Sequence, residues 1–256
     1  MSTDLRLRLE VLEMAQRSKT GDFSTSLAVL DGLLALYFGR DNGKPVVRYD
    51  VKKPRAAERD FVVVSDPAAA TAWYVALAEA GFSGALLSTV PSVKIPGVDG
   101  AMGRAGYGLA MGEGMAKAAT LDKYGGRVFV VLTDEDLACG LTWEAALSVA
   151  QARLDSITVL CLTAGPQRVK PVQEKWEAFG WKIFPVPDGH DCVAMTLALA
   201  RSKEQRYLPS CVVAPVVLGK GVPFLEGKLV YRGSLLSVQE FDLAKESLAT
   251  PLLSVI

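Results

Sequence analysis

Between Val128 and Leu137 the chain reads VFVVLTDEDL, five consecutive apolar residues running straight into three carboxylates, Asp134, Glu135 and Asp136. A strand with no polar face must be covered on both sides, the condition of a parallel sheet held between helices. In such sheets ligands collect beyond the carboxyl ends of the strands, where this segment places its acids. Phe61–Val64 (FVVV), Ile157–Leu162 (ITVLCL) and Ser210–Val217 have the same apolar character, and Trp181–Val186 reads as a further strand. Between them the spacing predicts helices: residues 4–18, with Leu5, Leu9, Leu12 and Met14 near one face; Leu27–Phe38, ending at Gly39; Ala69–Ala80, stopping at Gly81; and Gly108–Leu121. The stretch WEAALSVAQARL, capped by Thr142, and the segments Cys192–Arg201 and Ser237–Leu248 complete the set, while Leu87–Met102, rich in Pro, Gly and Ser, reads as a loop. Alternation of this kind implies right-handed crossovers and an α/β fold, a doubly wound parallel sheet with helices on both faces. No repeat or linker divides the chain, so residues 1–256 are expected to form one domain.

Lys and Arg number 28 against 28 Asp and Glu, which removes the positive field expected of a nucleic-acid or anionic-membrane partner. The four cysteines, Cys139, Cys161, Cys192 and Cys211, are widely spaced, form no CxxC pair, and suit a reducing cytoplasm. The opening MSTDLRLRLEVLEMAQRSK is charged throughout, unlike a signal peptide, and nowhere do about 18 apolar residues run together. The expected location is cytoplasmic.

Local motifs leave several readings open. Asp134, Glu135 and Asp136 suit either a solvated strand-to-helix loop or a metal site. Gly103, Gly106 and Gly108 follow a GxxGxG spacing rather than the dinucleotide GxGxxG, which points to helix packing or a phosphate cradle. Arg104 could neutralise a phosphate or pair with the acidic loop. Gly219-Lys220-Gly221 lacks the spacing and the Ser/Thr of a P-loop and reads as a turn. The only histidine, His190, reads as a turn or surface residue rather than a reacting group.

Longer motifs are more specific. RSKTGDFSTSLAVLDGLLALYF, with Ser26, Leu27 and Asp31 matching, RDFVVVSDPAAATAWYVALAEAG, IPGVDGAMGRAGYGLAMGEGMAKAA, GLTWEAALSVAQARLDSITVL, EAFGW, DGHD and GKGVPFLEG occur here in the same order as counterparts in transketolase. Along nearly its whole length the chain resembles the N-terminal, cofactor-pyrophosphate-binding half of that family. The resemblance implies thiamine diphosphate held through Mg²⁺ between this half and a second chain that supplies an activating glutamate. It assigns cofactor binding to Gly103, Gly106, Gly108 and Asp134, with Asp134 also the metal ligand. Several matching positions differ from the family pattern. Thr133 and Glu135 replace the glycines around Asp134, Ala164 replaces the second Mg²⁺ ligand with Thr163 a poor substitute, and Cys139 replaces a glutamate. Four family histidines correspond to Asp22, Ala68, Val90 and Arg232, none of which handles a proton as imidazole does.

No catalytic residue is therefore assigned, and whether thiamine diphosphate with Mg²⁺ is retained is open, weakened by Glu135 and Ala164. The resemblance implies a transketolase N-terminal-like subunit, catalytically deficient or strongly diverged, that acts in a homo- or hetero-oligomer. Its partners would be itself or a transketolase C-terminal-like subunit, met around the Gly103–Ala119 helix. The alternative is an active thiamine-diphosphate-dependent ketol or acyl transferase subunit completed by a separate C-terminal-half chain.

Overall fold

A computed structural model of the chain describes residues 3–19, 23–82, 84, 92–100, 103–164, 169–229 and 235–249. Asp22, Val90 and Arg232, and much of the predicted Leu87–Met102 loop, lie outside the described residues. Helices α1 (Thr3–Ser18) and α2 (Phe23–Phe38) lead through a two-stranded hairpin, β1 (Arg40–Asp41) and β2 (Lys44–Pro45), to β3 (Phe61–Val64) and α3 (Ala70–Glu79). Then follow α4 (Gly108–Leu121), β4 (Val128–Leu132), the four-residue α5 (Asp134–Leu137), α6 (Gly140–Gln151), β5 (Ile157–Ala164), α7 (Val169–Ala178), β6 (Lys182–Pro185), α8 (Cys192–Ser202), β7 (Ser210–Val216) and α9 (Val238–Ala249).

The five long strands form one parallel sheet in the order β3-β4-β5-β7-β6. The apolar runs behave as a doubly covered strand must. Successive residues of β4 alternate faces, Phe129 and Val131 entering a core with α1, α2, α3, α8 and α9, and Val128, Val130 and Leu132 entering a second core with α4, α6 and α7. Every residue of β4 is wholly buried. At roughly 1.5–3 kcal/mol for a fully buried large aliphatic side chain, such strands carry much of the folding free energy. Among the described residues no helix is long and apolar enough to cross a membrane.

Some expectations need correction. In α1 the buried face is Leu7, Arg8, Val11, Leu12, Met14 and Ala15, while Leu5 and Leu9 only flank the core. Thr142 does not cap α6. That helix starts two residues earlier, after Cys139, and the Thr142 hydroxyl donates inward to the Asp136 carbonyl at 2.7 Å. The β1–β2 hairpin turns on Asn42-Gly43, both with positive φ (48° and 77°), which is the strongest short-range hairpin signal a sequence offers.

Candidate functional site

The carboxyl ends of β3 and β4 carry a buried polar knot. Asp136 is fully buried and accepts from the Ser65 hydroxyl (2.5 Å), the Gly106 amide (2.6 Å) and the Thr133 amide (2.8 Å). Thr133 donates its hydroxyl to Asp66 at 2.6 Å, and Asp66 also accepts from the Ala68 amide at 2.9 Å. No cation touches Asp136 among the described residues. Burial therefore raises its pKa to about 6 despite three donors, and the charge of Asp66 adds to the rise.

Gly106 and Gly108 are required by this knot. Gly106 has φ +93°, and a Cβ there would lie 2.5 Å from that of Cys139; a Cβ on Gly108 would lie 2.4 Å from that of Ser65. Their amides are already bonded, Gly106 to Asp136 and Gly108 to the Ser65 hydroxyl at 3.0 Å. Gly103 lies in open space, and Arg104 is exposed and makes no ion pair to the acidic loop among the described residues. Asp134, half-buried, accepts from the Ala164 amide at 2.6 Å, which ties the end of β4 to the end of β5. Glu135 is exposed. Beside Asp134 is a cavity of about 20 Å³ lined in part by Thr25, Thr133 and Ala164.

The histidine is not at the surface as a turn residue would be. Only 9% of its side chain is exposed. His190 Nδ1 lies 2.6 Å from Asp31, and Nε2 accepts from the Val217 amide at 2.9 Å, so the ring proton sits on Nδ1 and donates to the carboxylate. Asp31 is also gripped by both oxygens through Arg8 Nη2, at 2.7 and 2.6 Å. Burial alone would raise the Asp31 pKa, but the His190 hydrogen bond and the Arg8 charge hold it below the usual carboxylate range. Sequence reasoning missed this knot. Its signal was an arginine at the centre of the apolar face of α1.

The family model described as "Transketolase, thiamine diphosphate binding domain" matches residues 7–251. The chain belongs to the transketolase family. One of the two apulose-4-phosphate transketolase subunits of Phocaeicola vulgatus is 26% identical over 255 residues, covering 92% of this chain and 88% of that one. The 6-deoxy-6-sulfo-D-fructose transketolase subunit SqwG of a Clostridium species is 30% identical over 244 residues, covering 87% and 86%. The crystal structure of transketolase from Campylobacter jejuni superposes with a TM-score of 0.81 at 23% identity, covering 96% of this chain but 42% of that one, and shares the fold.

For a transketolase-family chain, the oxygen donors here fall short of an Mg²⁺ site. The ion needs near-octahedral oxygen coordination, commonly with one or two carboxylates beside substrate phosphates and water. Asp134 has one oxygen on the Ala164 amide, Ala164 has no side-chain oxygen, and the remaining donors nearby are the buried hydroxyls of Thr25 and Thr163, which have no hydrogen-bond partner. Among the described residues no group of three His, Cys, Asp or Glu could hold a metal. The amides of Gly106 and Gly108 are likewise spent inside the fold rather than left for a diphosphate. Of the four positions matching family histidines, Ala68 alone is described, and it sits in the short turn after β3 capped by Asp66.

Proposed function

We propose that this chain is a non-catalytic or strongly diverged transketolase N-terminal-like subunit, one cytoplasmic domain that works within an assembly and does not hold thiamine diphosphate with Mg²⁺ tightly. The observation that carries this reading is the Asp134 carboxylate drawn onto the Ala164 amide at 2.6 Å, with no second side-chain carboxylate or carboxamide beside it among the described residues. A metal-binding aspartate has become a clasp between two strand ends. No step of ketol transfer is assigned to the chain's own residues.

The assembly face is α4. Tyr107, Met111, Gly114, Ala118 and Leu121 follow one another at intervals of four and three, the spacing of a helix–helix seam, and all five are exposed. Tyr107 is 56% and Leu121 82% exposed. Gly112, two residues from Gly114, faces Val130, where a Cβ would lie 2.6 Å away, whereas nothing lies within 4 Å of a Cβ on Gly114. A glycine inside a helix costs about 1 kcal/mol relative to alanine. Within this chain nothing at Gly114 requires it, while a close-packed partner helix would. The partner is a second copy or a transketolase C-terminal-like chain.

A second reading has its own support: relatives of similar length are named as subunits of an apulose-4-phosphate transketolase and a 6-deoxy-6-sulfo-D-fructose transketolase. On that reading this chain is the corresponding half of a two-subunit transferase. Calorimetry with thiamine diphosphate and MgCl₂ decides between them. The first reading expects no sub-micromolar, Mg²⁺-dependent binding, alone or with a partner; such binding would establish the second. Light scattering tests the α4 face, where a strictly monomeric species at tens of micromolar with no co-purifying partner rejects the assembly.

A further inference from the structure

At the opposite end of the sheet, where the strands begin, positive charge accumulates without acids to balance it. Arg127, immediately before β4, donates through Nη2 to the Asp155 carbonyl at 2.6 Å. Its Nε is buried with no hydrogen-bond partner, and the guanidinium makes no ion pair among the described residues. Lys203 spends its ammonium on two neutral carbonyls, Pro45 (2.8 Å) and Val46 (2.6 Å), and Arg206 donates to the carbonyls of Lys203 and Gln205, both at 3.0 Å. Of these four cations, Arg48 is paired with an acid among the described residues, Asp60.

The two carboxylates at this edge are already committed. Asp60 accepts from the Arg48 amide (2.9 Å), the Arg48 side chain (2.9 and 3.2 Å) and the Arg127 amide (2.9 Å). Asp155 turns its carboxylate to the Tyr207 amide at 3.0 Å. The cations crowd one another in consequence. Burial first, and then the charges of Arg206 and Arg48, lower the Arg127 pKa against the opposing pull of Asp155 and Asp60. Burial lowers that of Lys203, opposed by Asp60 and assisted by Arg127 and Arg48.

We propose that Arg127, Lys203, Arg206 and Arg48 form a binding site for a phosphate dianion, free or esterified to a small molecule. Four cations against two carboxylates leave two positive charges over, which matches a dianion better than a single carboxylate. Arginine presents five N–H donors in a planar fork suited to a tetrahedral oxyanion, and Arg127 uses one of them on the protein. Tyr207, next to Arg206, is held at φ +70°, a conformation that favours glycine, and is 76% exposed. It offers a surface for the organic part of an esterified phosphate. The site lies away from Asp134 and does not depend on whether thiamine diphosphate is bound.

The test is calorimetry and thermal shift on the full chain, with inorganic phosphate, glycerol 3-phosphate and AMP, each compared with chloride at equal ionic strength. The expected result is saturable, phosphate-specific binding that stabilises the fold. It should be lost in Arg127→Gln and weakened at least about tenfold in Arg206→Gln, since a hydrogen bond to a charged group contributes roughly 1.5–3 kcal/mol. Arg206 is exposed, so its variant keeps the experiment decisive even if Arg127→Gln fails to fold. Equal affinity for all three probes means the site takes free phosphate; tighter binding of glycerol 3-phosphate or AMP means it takes an ester. A response no larger than that to chloride, or unchanged affinity in Arg206→Gln, overturns the proposal.

Discussion

Two buried carboxylates in this protein have opposite electrostatic fates. Asp31 and Asp136 are 3% and 0% exposed and both hold several elements together. Asp31 has Arg8 gripping both oxygens and His190 donating a third bond, and its pKa falls. Asp136 has three neutral donors and Asp66 as its charged neighbour, and its pKa rises. Asp99 marks the boundary: Arg59 pairs with it, yet burial still outweighs that single partner and its pKa is raised. Hydrogen bonds satisfy a buried carboxylate geometrically, but here it takes a well-placed cation and a further donor together to keep the charge favourable.

The largest effect should follow from removing the cation. Arg8→Met leaves Asp31 buried and charged with His190 alone, and breaking a buried pair from one side costs about 3–5 kcal/mol. The urea midpoint should fall accordingly, and Arg8→Met with Asp31→Leu should recover part of the loss. If the single variant costs less than about 1 kcal/mol, Asp31 does not depend on Arg8 and the contrast fails.

Next in size is the pH response of Asp136. Its folded pKa, about 6, lies above the ordinary aspartate value of 3.8. Its contribution to stability is therefore fully present below the unfolded pKa and is lost as pH rises through about 6. A shift of about two units corresponds to roughly 3 kcal/mol at most. Asp31, with a depressed pKa, works in the other direction: its contribution is present above the unfolded pKa and lost as pH falls through the folded one. Thermal melts across the weakly acidic range should show the Asp136 component, and Asp136→Asn should flatten it. An identical pH profile for that variant would mean that Asp136 titrates near its ordinary value.

His190→Phe should cost about 1–2 kcal/mol, because it removes two hydrogen bonds and leaves the Val217 amide and one Asp31 oxygen short of a partner. The smallest change is a gain of binding rather than a loss of stability. Glu135→Gly combined with Ala164→Asn removes a charge and returns an oxygen donor, and should bring weak Mg²⁺-dependent thiamine diphosphate binding within reach of calorimetry. An unchanged titration would place the obstacle in the Gly106–Gly108 knot instead.

Much of the fold was legible because it depends on local pattern. β3, α4 and β4 lie at the residues their apolar periodicity marks, and Asp191 of the DGHD motif caps α8 as a residue before a helix should. The candidate site was less legible. Asp134 sits at the strand end where the sequence puts it, but sequence could not show that its carboxylate would be turned to the Ala164 amide. Gly106 and Gly108 read as a possible phosphate cradle, whereas their amides serve Asp136 and Ser65, residues 30 and 43 positions away.

The sequence by itself determined the alternation of covered strands and helices, and with it the parallel sheet and the edge that carries the acids, since apolar periodicity acts within a few residues. Tertiary structure alone decided the partner of each buried polar group. Arg8 meets Asp31, and His190 meets both Asp31 and Val217, because hydrogen bonding and charge act between atoms a few ångströms apart in space, whatever their separation along the chain.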